Sequence, residues 1–425
     1  MRRVCMRRVC ISMVAAWVAI GTIAVRGQLA PPRQVAPFDG EAVAIPLPFN
    51  ILPTLPFLLG EVDIASLGVA DSELSTVGPA TASSSSSGSM LVVDDNFADC
   101  PNAQFTTVQS AVTAAAPGST IKVCRGTYVE QVIIPAGKDN LTLFSEAAFQ
   151  AVIKAPPLMA DPKAIVLISG AHNVVLRHFT ISGPGGTPCD SIRYGVRVDA
   201  GGSALITDNH ITEIHDTPFG GCQNGVGVLV GRNFENQTGF ATVVHNLIDR
   251  YQKGGVVVDG TLAGPQSSAE VAYNEIVGVG ATPTIAQNGI QVSRNAVANV
   301  HHNRVMFNNY SLPDAVSEAI LLFQDKASTS IHHNFLSQND DGVDLTETVG
   351  ADASHNSSTS NDYDGVFADG LGAGNTISYN RASDNHAFDC EDDSAGPGTA
   401  GTANFWIKDL GDTENRPGIC KSTPR

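Results

Sequence analysis

The side chains with the clearest chemical potential are carboxylates that recur in related contexts. Asp341 and Asp344 lie in DGVDL, Asp364 in DGVFA and Asp389 in AFDC. If these segments run side by side as neighbouring strands, Asp341 and Asp364 stand about 5 Å apart along the backbone, and Asp344 and Asp389 about 10 Å apart. Retaining glycosidases hold their two carboxyls roughly 5–5.5 Å apart and inverting ones roughly 6.5–9.5 Å, so this spacing reaches glycosidic-bond chemistry. Repulsion between such acids raises one pKa toward the working pH, as a general acid requires. The same cluster could instead take Ca²⁺, the one cofactor the acids call for, or form a solvated ridge. Arg197, Asp259, Gln291 and Asp369 fall on equivalent outward positions and are the candidates for gripping a substrate; Asp199 and Glu391 share that face, and Lys253 lies beside it. A second set is the column Asp208, His245, Tyr273, His302, His333, His355 and Tyr379, with His301 and His332 beside it. Neutral imidazoles at a repeating spacing can bind copper or zinc, and simple duplication explains the column without a metal.

These residues are positioned by an internal repeat running from about residue 175 to 390. One element is an apolar-x-x-Asn-x-apolar strand, seen in LITDNHI, VVHNLI, VAYNEI, VHHNRV and IHHNFL, with Asn209, Asn246, Asn274, Asn303, Asn334, Asn356 and Asn380 as its fixed residues. The other is a Gly-apolar-x-apolar strand at Gly195, Gly225, Gly255, Gly289, Gly342 and Gly365, with Ala319 and Ala387 in two variants. Asparagine tolerates a left-handed corner, and its amide donates and accepts at once. Stacked at about 4.8 Å, such amides bond from one coil to the next, so their reading is structural. The glycines read as corners before a strand. Each coil has too few inward aliphatic residues to be stable alone, so the stack builds the core. Upstream, Val108, Ala111, Val112 and Ala115 share helical spacing before Pro117-Gly118, which predicts a short helix closing the first coil.

The stretch from Phe105 to Tyr128 and the repeats after it resemble proteins of the pectin-lyase-like superfamily, including the loosely defined NosD-like repeat group. The resemblance implies an all-β fold: a right-handed parallel β-helix, a solenoid with an N-terminal capping helix. It also implies an extracellular polysaccharide partner, handled by a hydrolase or lyase whose acids sit on the floor of a cleft walled by the long connections after Asn209, Asn274 and Asn303. A non-catalytic glycan-binding or surface solenoid, and a periplasmic metal-handling protein, are the alternatives, because this fold diverges in chemistry. The chain departs from several family motifs. Gln324-Asp325 followed by Asp344 matches part of the pectinesterase pattern, but the flanking residues differ and the later Leu-Gly-Arg-Pro-Trp element is missing. The Gly-His-Gly and Arg-Ile-Lys of polygalacturonases and the arginine motif of pectate lyases are also missing.

Composition agrees with export. Arg2, Arg3, Arg7 and Arg8 precede an apolar run from Ile11 to Val25, which predicts a signal peptide over 1–27 and a secreted or periplasmic protein without a membrane span. Its removal takes five arginines and no acid, lowering the formal charge from -17 to about -22. Such a surface disfavours nucleic acid and repels a polyuronate unless cations bridge the two. Residues 28–90 read as a Pro/Ser-rich linker, 91–395 as the β-helix and 396–425 as a C-terminal capping segment. Six of the eight cysteines lie beyond the leader, in the local pairs Cys100 with Cys124, Cys189 with Cys222 and Cys390 with Cys420, which predicts disulfides.

Overall fold

The computed structural model describes residues 88–422 except 187, 188, 190, 262–265 and 327, so the expected leader and nearly all of the linker lie outside the described residues. Each complete coil contributes one strand to each of three parallel sheets in turn, and the coils at the two ends contribute to fewer. Sheet B has twelve strands, from Met90–Val93 to Phe405–Ile407; sheet C has twelve, from Gly126–Val129 to Cys420–Lys421; sheet A has ten, from Val132–Pro135 to Cys390–Asp392. The stack therefore continues past residue 395 and takes in part of the expected capping segment. One helix, α1 (Val108–Ala114), closes the first coil and buries Val108, Ala111 and Val112. Its N-terminus is capped twice: the Thr107 hydroxyl accepts from Ser110 N, and the Glu130 carboxylate accepts from Val108 N and Gln109 N at 2.7 and 2.8 Å.

The core is built by register. Val196, Val228, Val256, Ile290, Ile320, Val343 and Val366 pair in one unbroken inward row of sheet A. The glycine before each of the first four of these residues also faces inward. A Cβ on Gly195, Gly227, Gly255 or Gly289 would lie 2.5–2.6 Å from the carbonyl oxygen of the next coil. These glycines thus serve close approach of coils within the strand, rather than the corners expected of them. In the second coil of the family the glycine of this row is Gly227, not Gly225, which has φ +77 and turns the chain into the strand.

The seven asparagines form a continuous ladder along the turn from sheet B to sheet C. Asn303 illustrates the rung: its backbone N–H and Nδ2 both donate to Asn334 Oδ1 at 3.0 Å, and Nδ2 also donates to Val271 O at 2.8 Å. The left-handed corner falls on the preceding residue, not on the asparagine. Asp208, His245, Tyr273, His302, His333, His355 and Tyr379 all have φ between 54 and 58°. Asparagine is used for its amide, and the corner strain is carried by its neighbour. A second ladder, Asn308–Asn339–Asn361–Asn385, runs along the turn from sheet C to sheet A. Both end on an acceptor that has no side-chain donor: Asn380 donates to Asp409 Oδ1, and Asn385 to Asp389 Oδ1.

The three expected disulfides, Cys100–Cys124, Cys189–Cys222 and Cys390–Cys420, are formed. No helix among the described residues is long and apolar enough to cross a membrane.

Candidate functional site on the outer face of sheet A

Alternation along the sheet A strands leaves three outward rows. The first runs Tyr194, Val226, Gly254, Asn288, Glu318, Asp341, and the register carries it on to Asp364. In the second row, Arg197, Leu229, Val257, Gln291, Leu321 and Asp344 are in register. The third includes Asp259, Ser293, Phe323 and Thr346. Three acids of the first row thus come from consecutive coils, with Asp344 beside them.

Their hydrogen bonds differ in kind. Asp341 Oδ1 accepts from Asp364 N, and Asp364 Oδ1 accepts from Phe388 N, both at 2.8 Å, so each holds the backbone of the following coil. Asp344 Oδ1 accepts from the Thr346 hydroxyl at 2.7 Å. Glu318 is fully buried, and neither of its carboxyl oxygens has a hydrogen-bond partner. Burial pushes its pKa well above the ordinary glutamate value; the negative charges of Asp344, Asp341 and Asp340 push the same way, against Lys253. Lys253 is itself fully buried and donates to Ala286 O at 2.6 Å, in the long connection after Asn274. Asp340 anchors the long connection after Asn303, accepting from Tyr310 N and Ser317 N at 2.8 and 2.9 Å, and burial raises its pKa to about 7.

Asp389 stands apart from this cluster. Val366 pairs with Cys390 and Phe367 with Glu391, so Glu391, not Asp389, continues the row of Asp344. Asp389 occupies the inward glycine position and accepts from Asn385 Nδ2, Asp412 N and Thr413 N. The strand starts two residues later than the resemblance of AFDC to GVFA suggests, because this carboxylate is used to end an asparagine ladder.

The expected gripping residues are engaged with the protein itself. Arg197, 1% exposed, donates from Nε to Asp199 at 2.7 Å and pairs with the Glu235 carboxylate. Asp259 is fully buried and accepts from Arg232, Arg294, the Ser293 hydroxyl and Asn233 N. The Phe234 ring lies against both of those guanidinium groups, at 5.0 and 4.8 Å. Gln291 bridges Asn288 and Ser293. Asp369 accepts from Leu371 N and Gly372 N in a turn, and burial raises its pKa. Glu318 and Asp340 are absent from the sequence-based set. Glu318 was within reach, since it precedes Ala319 as Asp341 precedes Gly342.

The only three groups of metal-ligating type that converge within reach of one ion, among the described residues, are Cys100, Cys124 and Glu146, and the two cysteines are joined to each other. The acids of sheet A do not converge in this way.

No family model matches the chain, and no curated protein resembles it in sequence. Among solved structures it is similar to the lacto-N-biosidase from Eubacterium ramulus, with a TM-score of 0.53 at 13% identity over 79% of this chain and 66% of that one. The chain therefore spans just under two thirds of that enzyme's length. It is also similar to an alginate lyase from a Paenibacillus species, with a TM-score of 0.51 at 12% identity over 69% of this chain and 94% of that one. Together with the three stacked parallel sheets, these likenesses show the fold of a right-handed parallel β-helix.

Proposed function

We propose that the protein is an exported glycoside hydrolase acting on a neutral glycan, with Glu318 as general acid and Asp344 as the carboxylate partner. Glu318 carries the reading: a buried carboxyl without hydrogen bonds, held in its proton-bearing form beside the charge of Asp344, is poised to protonate a leaving oxygen. Asp344, one coil on, supplies the charge that would activate water or stabilise the positive sugar ring. Asp341 and Asp364 keep this floor in register through their backbone contacts. The named activities of the similar structures, a lacto-N-biosidase and an alginate lyase, are consistent with a carbohydrate partner. Around the neutral Glu318 the negative charges of Asp344 and Asp341 outnumber the single positive charge of Lys253, which disfavours polyuronates and favours hydrolysis of neutral chains over uronate elimination. Because Glu318 is closed off from solvent here, the reading requires this face to open to substrate. Three disulfides in one short solenoid suit an oxidising compartment, outside the cell or in the periplasm.

A glycan-binding role without catalysis is favoured by a different feature, an open trough along the outer face of sheet B lined by Val175, Leu205, Thr242, Glu270 and Asn299. One assay separates the two: a panel of neutral and uronate polysaccharides, followed for new reducing ends, for ultraviolet-absorbing unsaturated products and for binding. Reducing ends from a neutral glycan, without unsaturated products, are expected. Retention of glycans with no cleavage would overturn the hydrolase in favour of the trough.

A further inference from the structure

The left-handed corner that precedes each ladder asparagine throws two consecutive side chains to the outside of the same turn. In two neighbouring coils both are histidines. His301 and His302 meet edge to face at 87°, and His332 and His333 meet at 89°. In each pair the two Nδ1 atoms are 3.0 Å apart. The pairs are stacked in two files, His301 on His332 with centroids 4.9 Å apart and His302 on His333 at 5.2 Å, the planes within 5°. Two ring nitrogens that face each other at this distance either share one proton or hold one cation. Imidazole nitrogens bind zinc and similar ions at about 2.0–2.1 Å, so two of them bound cis at a right angle lie about 2.8–3.0 Å apart.

The outer contacts of the inner rings favour the cation. His301 Nε2 lies 3.2 Å from Glu270 Oε1, and His332 Nε2 lies 2.9 Å from Asn299 Oδ1. An oxygen acceptor at Nε2 places the proton there and leaves Nδ1 with its lone pair facing the partner ring, the arrangement by which an outer carboxylate or carbonyl orients a metal-binding histidine. His302 and His333 are exposed, so an ion reaches the pairs from solvent.

We propose that the pairs His301–His302 and His332–His333 are two bidentate sites for divalent transition metal ions, Cu²⁺ being held most tightly, with water completing each coordination shell. The stacking distance of the rings is too long for one ion to take all four nitrogens, and two dications this close repel, so the second ion binds more weakly than the first. This site lies at the turn between sheets B and C and is independent of the acids on sheet A.

The test uses metal-free full-length mature protein titrated with CuCl₂ and, separately, ZnCl₂ by calorimetry, with electron paramagnetic resonance on the copper form. Nitrogen couplings from imidazole are expected in the wild type. His302→Ala combined with His333→Ala should weaken copper binding at least about 100-fold, since each pair keeps a single ligand. Both substituted rings are exposed, and an unchanged melting temperature would confirm that the fold persists. His386→Ala, outside both files, should bind as the wild type does. Equal copper affinity and spectra in the double variant and the wild type would overturn the proposal, as would the absence of micromolar binding of either ion by the wild type.

Discussion

Glu318→Gln keeps the volume of the side chain and removes its proton chemistry, and its effect on stability and activity should have opposite signs. Burial holds the wild-type carboxyl well above the ordinary value of 4.5 at which it titrates in the unfolded chain. A folded pKa raised above the unfolded one contributes stability that is complete below the unfolded value and is lost as pH rises toward the folded one. Each pH unit in that window costs about 1.4 kcal/mol. The glutamine does not titrate, so the variant should gain on the wild type by about that slope as pH rises through the window. Its amide meets no hydrogen-bond partner, just as the wild-type oxygens meet none, so the substitution offsets little of the gain. Activity on the cleaved glycan should fall by about 10²–10⁴, the usual contribution of a positioned general acid. Thermal melts at about pH 5 and about pH 8, together with initial rates of reducing-end formation, read both effects. Full activity in the variant would remove Glu318 from the chemistry. A stability difference that does not grow with pH would show that the carboxyl is ionised in the fold, and the reasoning would fail at its first step.

Other outcomes follow from the same contacts. Asn303→Ala leaves the Asn274 amide and Val271 O without their partner and should cost about 3 kcal/mol, read as a lowered denaturant midpoint; wild-type behaviour would refute the ladder. Asp340, with a pKa of about 7 against an ordinary 3.8, makes the wild type less stable as pH rises from about 4 to about 7. Asp340→Asn should flatten that dependence by up to about 4 kcal/mol, and an unchanged slope would show that the carboxyl is not strained by burial. Asp259→Ala strands Arg232 and Arg294 in the interior and should destabilise by about 3–5 kcal/mol; a loss of substrate affinity at unchanged stability would instead make it a binding residue. Thiol labelling of the mature protein under denaturing, non-reducing conditions should find no free cysteine among the six, and two reactive thiols would contradict the pairing.

The architecture was legible because repetition multiplies a weak signal. One Asn-containing strand says little, but seven in sequence define the coils, and the coils bring local cysteines together. The limits lay where a residue serves the stack in an unforeseen way. Asparagine and the residue before it share a corner, and spacing alone does not tell which takes the left-handed backbone; the positive φ of the preceding residue, 54° at His302, settles it. Asp389 looked like an outward acid because AFDC imitates GVFA, yet the last coil needs an acceptor facing inward. Glu318 escaped attention because Ala319 replaces the glycine of its repeat, although its position before that residue matches those of Asp341 and Asp364. Nothing in composition or pattern reveals that both of its oxygens lack donors, since this depends on what surrounds them in space.

The one-way grammar of the asparagine ladders bears on how such a chain changes length over generations. Every rung passes two donors forward to the next oxygen, so a duplicated coil set between Asn303 and Asn334 would give and take the same bonds as its neighbours. Deleting one would equally leave no orphaned amide within the run. The far end obeys a different rule: Asn380 and Asn385 need a partner that accepts and has nothing to pass on, which Asp409 and Asp389 supply. Insertions and losses can therefore be absorbed anywhere inside the stack, whereas the terminal aspartates must travel with its last coil. The acids of sheet A lie near that end, so coils gained upstream would lengthen the floor leading to Glu318 and Asp344 without disturbing the pair.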